Sequence, residues 1–174
     1  HGLSDVQIYE VKGHLSDHYN PSNLTLNLSS EIYHGTSIAS LAVAAHECGH
    51  ALQHQEGYKP LTFRNMIVPV CNISQTIGWI AILLGLFIGK SSISWLGVLL
   101  MSLMLLFQIV TLPVEFDASS RALSILNDRY LTEDEYPGAK KMLTAAALTY
   151  VAAMLSTLLS LLRIVLMVMS RDRD

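Results

Sequence analysis

Two stretches without a charged residue limit what this chain can become: residues 66–89, MIVPVCNISQTIGWIAILLGLFIG, and residues 93–112, ISWLGVLLMSLMLLFQIVTL. A helix rises 1.5 Å per residue, so a hydrocarbon core of about 30 Å needs roughly 20 apolar residues to cross it. Both runs are long enough. Lys90-Ser91-Ser92 is the tight break between them, which makes a membrane hairpin. Residues 142–169 form a third apolar run, rich in the Ala, Ser and Thr that let helices approach closely, with one interruption at Arg163. So near the C-terminal flank, Arg163 is placed to snorkel to an interface; facing a polar interior is the alternative. Of the 174 residues, 51% are hydrophobic and 14% charged, with mean hydropathy +0.40. That length is therefore divided between spans and a small polar region rather than filling one soluble core. The expected partner is the lipid bilayer. A net charge of −3 with no basic stripe excludes nucleic acid.

Outside the spans, residues 6–11, VQIYEV, and 24–28, LTLNL, alternate with the period of half-buried strands. With the Asn20-Pro21 turn signal between them, residues 5–29 read as a short antiparallel strand pair with a long connection. Such a pair offers an edge to an extended peptide, or is only a structural hairpin. Residues 36–55, TSIASLAVAAHECGHALQHQ, read as a helix opened by Thr36 or Ser37 as cap and stopped by Gly57. EGYKPLTFRN is a loop into the first span. Pro113 interrupts the chain after the second span, a helical pattern runs to about Leu126, and Pro137-Gly138 closes that polar stretch. The expectation is a mainly α integral membrane protein with three transmembrane helices and a small zincin-like α+β region. Its parts are a catalytic region at 1–65, a transmembrane hairpin at 66–112, a polar helical segment at 113–141, and a transmembrane helix with a short tail at 142–174.

The chemistry sits in His46-Glu47-Cys48-Gly49-His50, an HExxH. A spacing of four returns to the same helix face one turn on, so both imidazoles can bind one Zn²⁺ while Glu47 leans toward a water on it. Without a metal, two His and a Glu would need polar partners that this Ala/Leu-rich helix does not supply. Cys48 points away from that face and reads as packing. Cys48 and Cys71 give no disulfide framework, and both are expected as free thiols. His14, His18 and His34 fall in loops.

A catalytic zinc takes three protein ligands and leaves a position for water. His54 lies eight residues from His46, about 12 Å along a helix, too far to share the ion. The metzincin positions three and six residues after His50 hold Gln53 and Glu56 instead of Gly and His. Glu115, which opens the polar segment after the second span, is the better candidate; from position alone, an ordinary interfacial carboxylate is an equal reading. Two consecutive spans return the chain to the side it left, which puts residues 113–141 on the side of the HExxH helix. That side carries Lys59, Arg64, Arg121, Arg129, Lys140 and Lys141 near span ends, against Lys90, Arg171 and Arg173 on the other. The positive-inside rule then places the site toward the cytoplasm.

The runs VAAHECGHALQHQEGY, TLPVEFDASSRAL and AAALTYVAA resemble the YugP-like neutral zinc metallopeptidases of bacterial membranes, over nearly the whole chain. More distantly, the order of strands, HExxH helix, two spans and Glu-bearing helix is similar to the HtpX and CaaX-processing membrane metalloproteases. Those draw a third zinc ligand from a Glu-x-x-Ala-Asp motif. Glu115-Phe116-Asp117-Ala118-Ser119 matches at Glu and Ala, with Ser119 in place of Asp. The resemblance thus implies one zinc per chain held by His46, His50 and Glu115, in a bacterial cell membrane. It also implies a further membrane helix before His1. Asp117 could orient a ligand or pair with Arg121 one turn on.

These residues predict a thermolysin-like endopeptidase acting on a polypeptide, with Glu47 as the general base. His18, Tyr19, His54 and Arg121 are candidates for steadying the oxyanion. A site-2-type protease would need an LDG-like motif, which the chain lacks. A zinc transporter would need acidic, basic or His residues within spans 66–89 and 93–112, which carry none. A zinc-binding scaffold without protease activity has no need of Glu47 between the histidines.

Overall fold

The computed structural model describes residues 2–171. Three strands, β1 (Gln7–Val11), β2 (His18–Asn20) and β3 (Thr25–Ser29), precede five helices: α1 (Ser30–Tyr33), α2 (Ile38–Gln55), α3 (Lys59–Ile88), α4 (Ser91–Arg129) and α5 (Tyr136–Arg171). The end of the expected tail, with Arg173, lies outside the described residues.

Both expected strands are present, but they do not pair as expected. β1 and β3 run parallel, Gln7 opposite Thr25 through Val11 opposite Ser29. β3's antiparallel partner is β2, inside the stretch read as a connection. The reason is length. A parallel pair needs a crossover, and residues 12–24 are enough both to make one and to lay three residues along β3 on the return. Asn20-Pro21 does mark a turn, that of the β2–β3 hairpin. β3 is the central and buried strand; β1 is largely exposed.

The helices also extend past three sequence punctuation marks. α3 begins at Lys59, so most of the expected loop is helical: Pro60 sits in the first turn, where its missing N–H costs nothing. Pro137 plays the same part in α5, which starts six residues before the apolar run. Pro113 lies inside α4 and does not end it. One missing hydrogen bond leaves the rest of a long helical ladder intact, and in a bilayer those groups have no other partner. All three of α3, α4 and α5 are long and apolar enough to cross a membrane.

Two compact units make up the chain. One joins the chain up to Thr62 with Pro113–Leu148; the other joins Phe63–Leu112 with the chain from Thr149 onward. In the first, the core is Ala42 and Ala45 of α2 against Ala122 and Leu126 of α4 and Ala139 and Leu143 of α5. In the second, Ile82, Val98, Met101, Ile164 and Val168 form the core. Its outer faces present large apolar side chains such as Leu83, Phe87, Leu99 and Leu159, as lipid contact requires.

Candidate functional site

Ser37 caps α2, its Oγ accepting from the Ser40 N–H at 3.0 Å. At the other end Gly57, at φ +64°, closes the helix: the Tyr58 N–H reaches back to the Gln53 carbonyl and the Gly57 N–H to that of His54. Within this frame the His46 and His50 rings stack edge to face, centroids 4.7 Å apart. Glu115 comes to them from α4, 69 residues away and only 1% exposed. Its Oε2 lies 3.2 Å from His46 Nε2 and 3.6 Å from His50 Nε2. One ligand atom from each of the three falls within 4.8 Å of the others.

The meeting of α2 and α4 depends on small residues. A Cβ on Gly49 would stand 2.5 Å from the Ala118 carbonyl oxygen, so glycine inside the HExxH lets the helices touch backbone to backbone. Ala42, Ala45, Ala118 and Ala122 continue that contact, each at most 6% exposed.

The hydrogen bonds around the trio test whether its donors suit a cation. The Gln53 side chain is fully buried, and its Nε2 donates to the Val114 carbonyl and to Asp117 Oδ2, both at 2.8 Å. Both partners only accept, so Oε1 must be the atom facing His50 Nδ1 at 2.9 Å, and Nδ1 must carry a proton. Neutral His50 then presents the Nε2 lone pair to a carboxylate oxygen, an arrangement that repels unless a proton or cation lies between. His46 Nδ1 has a hydroxyl partner, Ser119 Oγ at 3.2 Å, which can accept its N–H. Two imidazole lone pairs and a buried carboxylate are a donor set fit for a borderline-soft divalent ion with nitrogen and oxygen ligands.

Glu47 is buried beside the trio and accepts the Tyr19 N–H at 2.9 Å. Burial pushes its carboxyl above the usual carboxylate range, against the pull of the two histidines. Burial alone would lower the His50 imidazole, but the Glu115 carboxylate outweighs it and raises it. The Cys48 thiol is raised as well, by burial and then by Glu47.

Other expected residues have their own engagements. Tyr19 Oη and His54 Nδ1 are 2.9 Å apart, in one hydrogen bond. His18 lies within reach of the Ser16 carbonyl and Asn27. Arg121 binds Asp117 Oδ2 through Nε at 2.6 Å and Glu56 through Nη1 at 2.7 Å. Asp117 therefore pairs with Arg121 and also reaches a histidine, through Gln53. In the sequence Gln53 is marked only as a position where the metzincin pattern fails. Its spacing of three from His50, on the same helical face, was the available signal. Ser119, where the related motif has Asp, lies beside His46.

A family profile described as "Putative neutral zinc metallopeptidase" matches residues 1–169. The chain is also 45% identical over 174 residues to "Putative membrane protease YugP" of Bacillus subtilis (strain 168), covering 99% of this chain and 77% of that protein. No solved structure gives a significant match.

Proposed function

The chain belongs to the neutral zinc metallopeptidase family, and from that premise we propose that it is a membrane-embedded endopeptidase of the HExxH-plus-Glu type. In this reading His46, His50 and Glu115 hold the zinc. The observation that carries it is the convergence of one oxygen of Glu115 on both Nε2 atoms from a helix far away in sequence. Bound there, zinc supplies a Lewis acid that acidifies water and polarises a peptide carbonyl.

The protein's own groups do the rest. Glu47 takes the proton of the attacking water and returns it to the leaving amine, and its raised pKa suits a group that must hold a proton between the two steps. The Tyr19 N–H holds one carboxylate oxygen, which leaves the other to take the proton. With three helices able to cross a bilayer, the substrates are membrane or membrane-proximal polypeptides, and the excess of Lys and Arg on the site's side argues for the cytoplasmic face.

The deciding experiment is Glu47→Gln in detergent-purified protein. Zinc stoichiometry should stay near wild type while peptide hydrolysis falls by roughly 10²–10⁴-fold, the usual worth of a general base. Retained hydrolysis would remove Glu47 from the mechanism. Sidedness is tested separately: a cysteine at Ser91 should react with an impermeant reagent on intact cells, and reaction only after lysis would reverse the orientation.

A further inference from the structure

We propose that Gln53 is the positioning residue that sets the tautomer of His50, and that Asp117 and Arg121 act through it; this rests on His50 being a zinc ligand. The argument is one of donors and acceptors. Gln53 sits three residues after His50, with no exposed surface and every polar atom of its side chain occupied. A primary amide has one accepting end and one donating end, and here the surroundings leave no choice between the two orientations. The Val114 carbonyl and Asp117 hold the amide nitrogen, so the oxygen is presented to His50 Nδ1. That oxygen can only accept, and the imidazole is forced to keep its proton on Nδ1 and its lone pair on Nε2, the atom facing Glu115.

The same residue also ties the two helices together where the ligands meet. Val114 O immediately precedes Glu115, so the bond that orients His50 is anchored to the backbone next to the third ligand. Behind Gln53, the Asp117 carboxylate is held by Arg121, and Arg121 in turn by Glu56 just past the end of α2. The chain Glu56–Arg121–Asp117–Gln53–His50 therefore starts and ends on the α2 segment and passes through α4. His46 has a looser arrangement. Its partner is the Ser119 hydroxyl, which can donate or accept and so permits the required tautomer without imposing it. The two histidines, alike in sequence, are thus unequally controlled, and the greater dependence falls on Gln53.

The test uses the purified full chain, zinc affinity by chelator competition, and the ¹⁵N spectrum of histidine-labelled, metal-free protein, in which the two tautomers differ in shift. Wild type should show His50 protonated at Nδ1. Gln53→Met should lose roughly 10–100-fold in zinc affinity and move His50 toward the Nε2-protonated form, whereas Ser119→Ala should cost about threefold. Because Gln53→Met could simply unfold, its thermal melting and the ¹⁵N signals of His46 are the control: in a folded variant His46 should keep its wild-type shifts while those of His50 change. Wild-type His50 with no proton on Nδ1, a folded Gln53→Met variant binding zinc as tightly as wild type, or one in which the His46 signals move as far as those of His50, would overturn the inference. If His50→Ala itself binds zinc normally, the ligand assignment fails, and this inference with it.

Discussion

Two helix crossings in this molecule use the same packing device to different ends. Where α2 meets α4 in the first unit, a Cβ on Gly49 would lie 2.5 Å from the Ala118 carbonyl; where α3 meets α4 in the second, a Cβ on Gly97 would lie 2.6 Å from the Gly78 carbonyl. Both contacts bring backbones together at glycine, as small residues allow in bilayers. The second is lined by Ile82, Val98 and Met101 and joins helices. The first buries Gln53, Glu115 and Ser119, each satisfied across the crossing, and joins the residues proposed to hold zinc. Close approach is therefore not itself a sign of a site. What separates the two is the polar material carried into the contact, because buried donors and acceptors are tolerated only when each finds its partner.

The comparison is broken most severely by Glu115→Ala, which removes the proposed third ligand and leaves the crossing. Zinc affinity should fall beyond the roughly 10–100-fold typical of losing an outer partner, and a metal-occupied structure should otherwise show a Glu115 oxygen about 2.0–2.2 Å from zinc. Normal metal binding in that variant, or Asp117 or Glu56 in the ligand position, would refute the assignment. Asp117→Ala comes next. Since Asp117 touches His50 only through Gln53, its cost should lie near the lower end of that range, about 10-fold in zinc affinity.

The glycines sharpen the contrast further. In an open helix Gly→Ala stabilises by about 1 kcal/mol, whereas overpacking costs roughly 1–3 kcal/mol. Gly49→Ala and Gly97→Ala should both lower thermal stability, but only Gly49→Ala should also weaken zinc binding, since it forces α4 and its Glu115 away from the histidines. Equal zinc affinities in the two variants would erase the distinction. The smallest effect concerns Cys48. A raised thiol pKa means less thiolate at a given pH, so alkylation at pH 7 should be slower than for a free cysteine and should accelerate only as pH rises above the ordinary thiol value of about 8.5. Rapid reaction at pH 7 would contradict the burial described for it.

What the sequence settled by itself was local. Charge-free runs of sufficient length announced the spans, a spacing of four put His46 and His50 on one face of a capped helix, and Gly57 ended it; each depends on the period of one element. Glu115 was legible only as a candidate, because position along the chain does not reveal which helix faces which. Tertiary structure decided the rest. Whether strands 6–11 and 24–28 pair parallel or antiparallel depends on the path of the chain between them, and there β2 took the antiparallel edge. Pro113 failed to end α4 because a helix survives the loss of one hydrogen bond when its other groups have no better partner. Gln53 looked like a misfit at a metzincin position, and its role became visible only once Val114 and Asp117, more than sixty residues away, fixed the direction of its amide. A hydrogen bond between helices is a fact of distance and orientation, and neither is written in the order of residues.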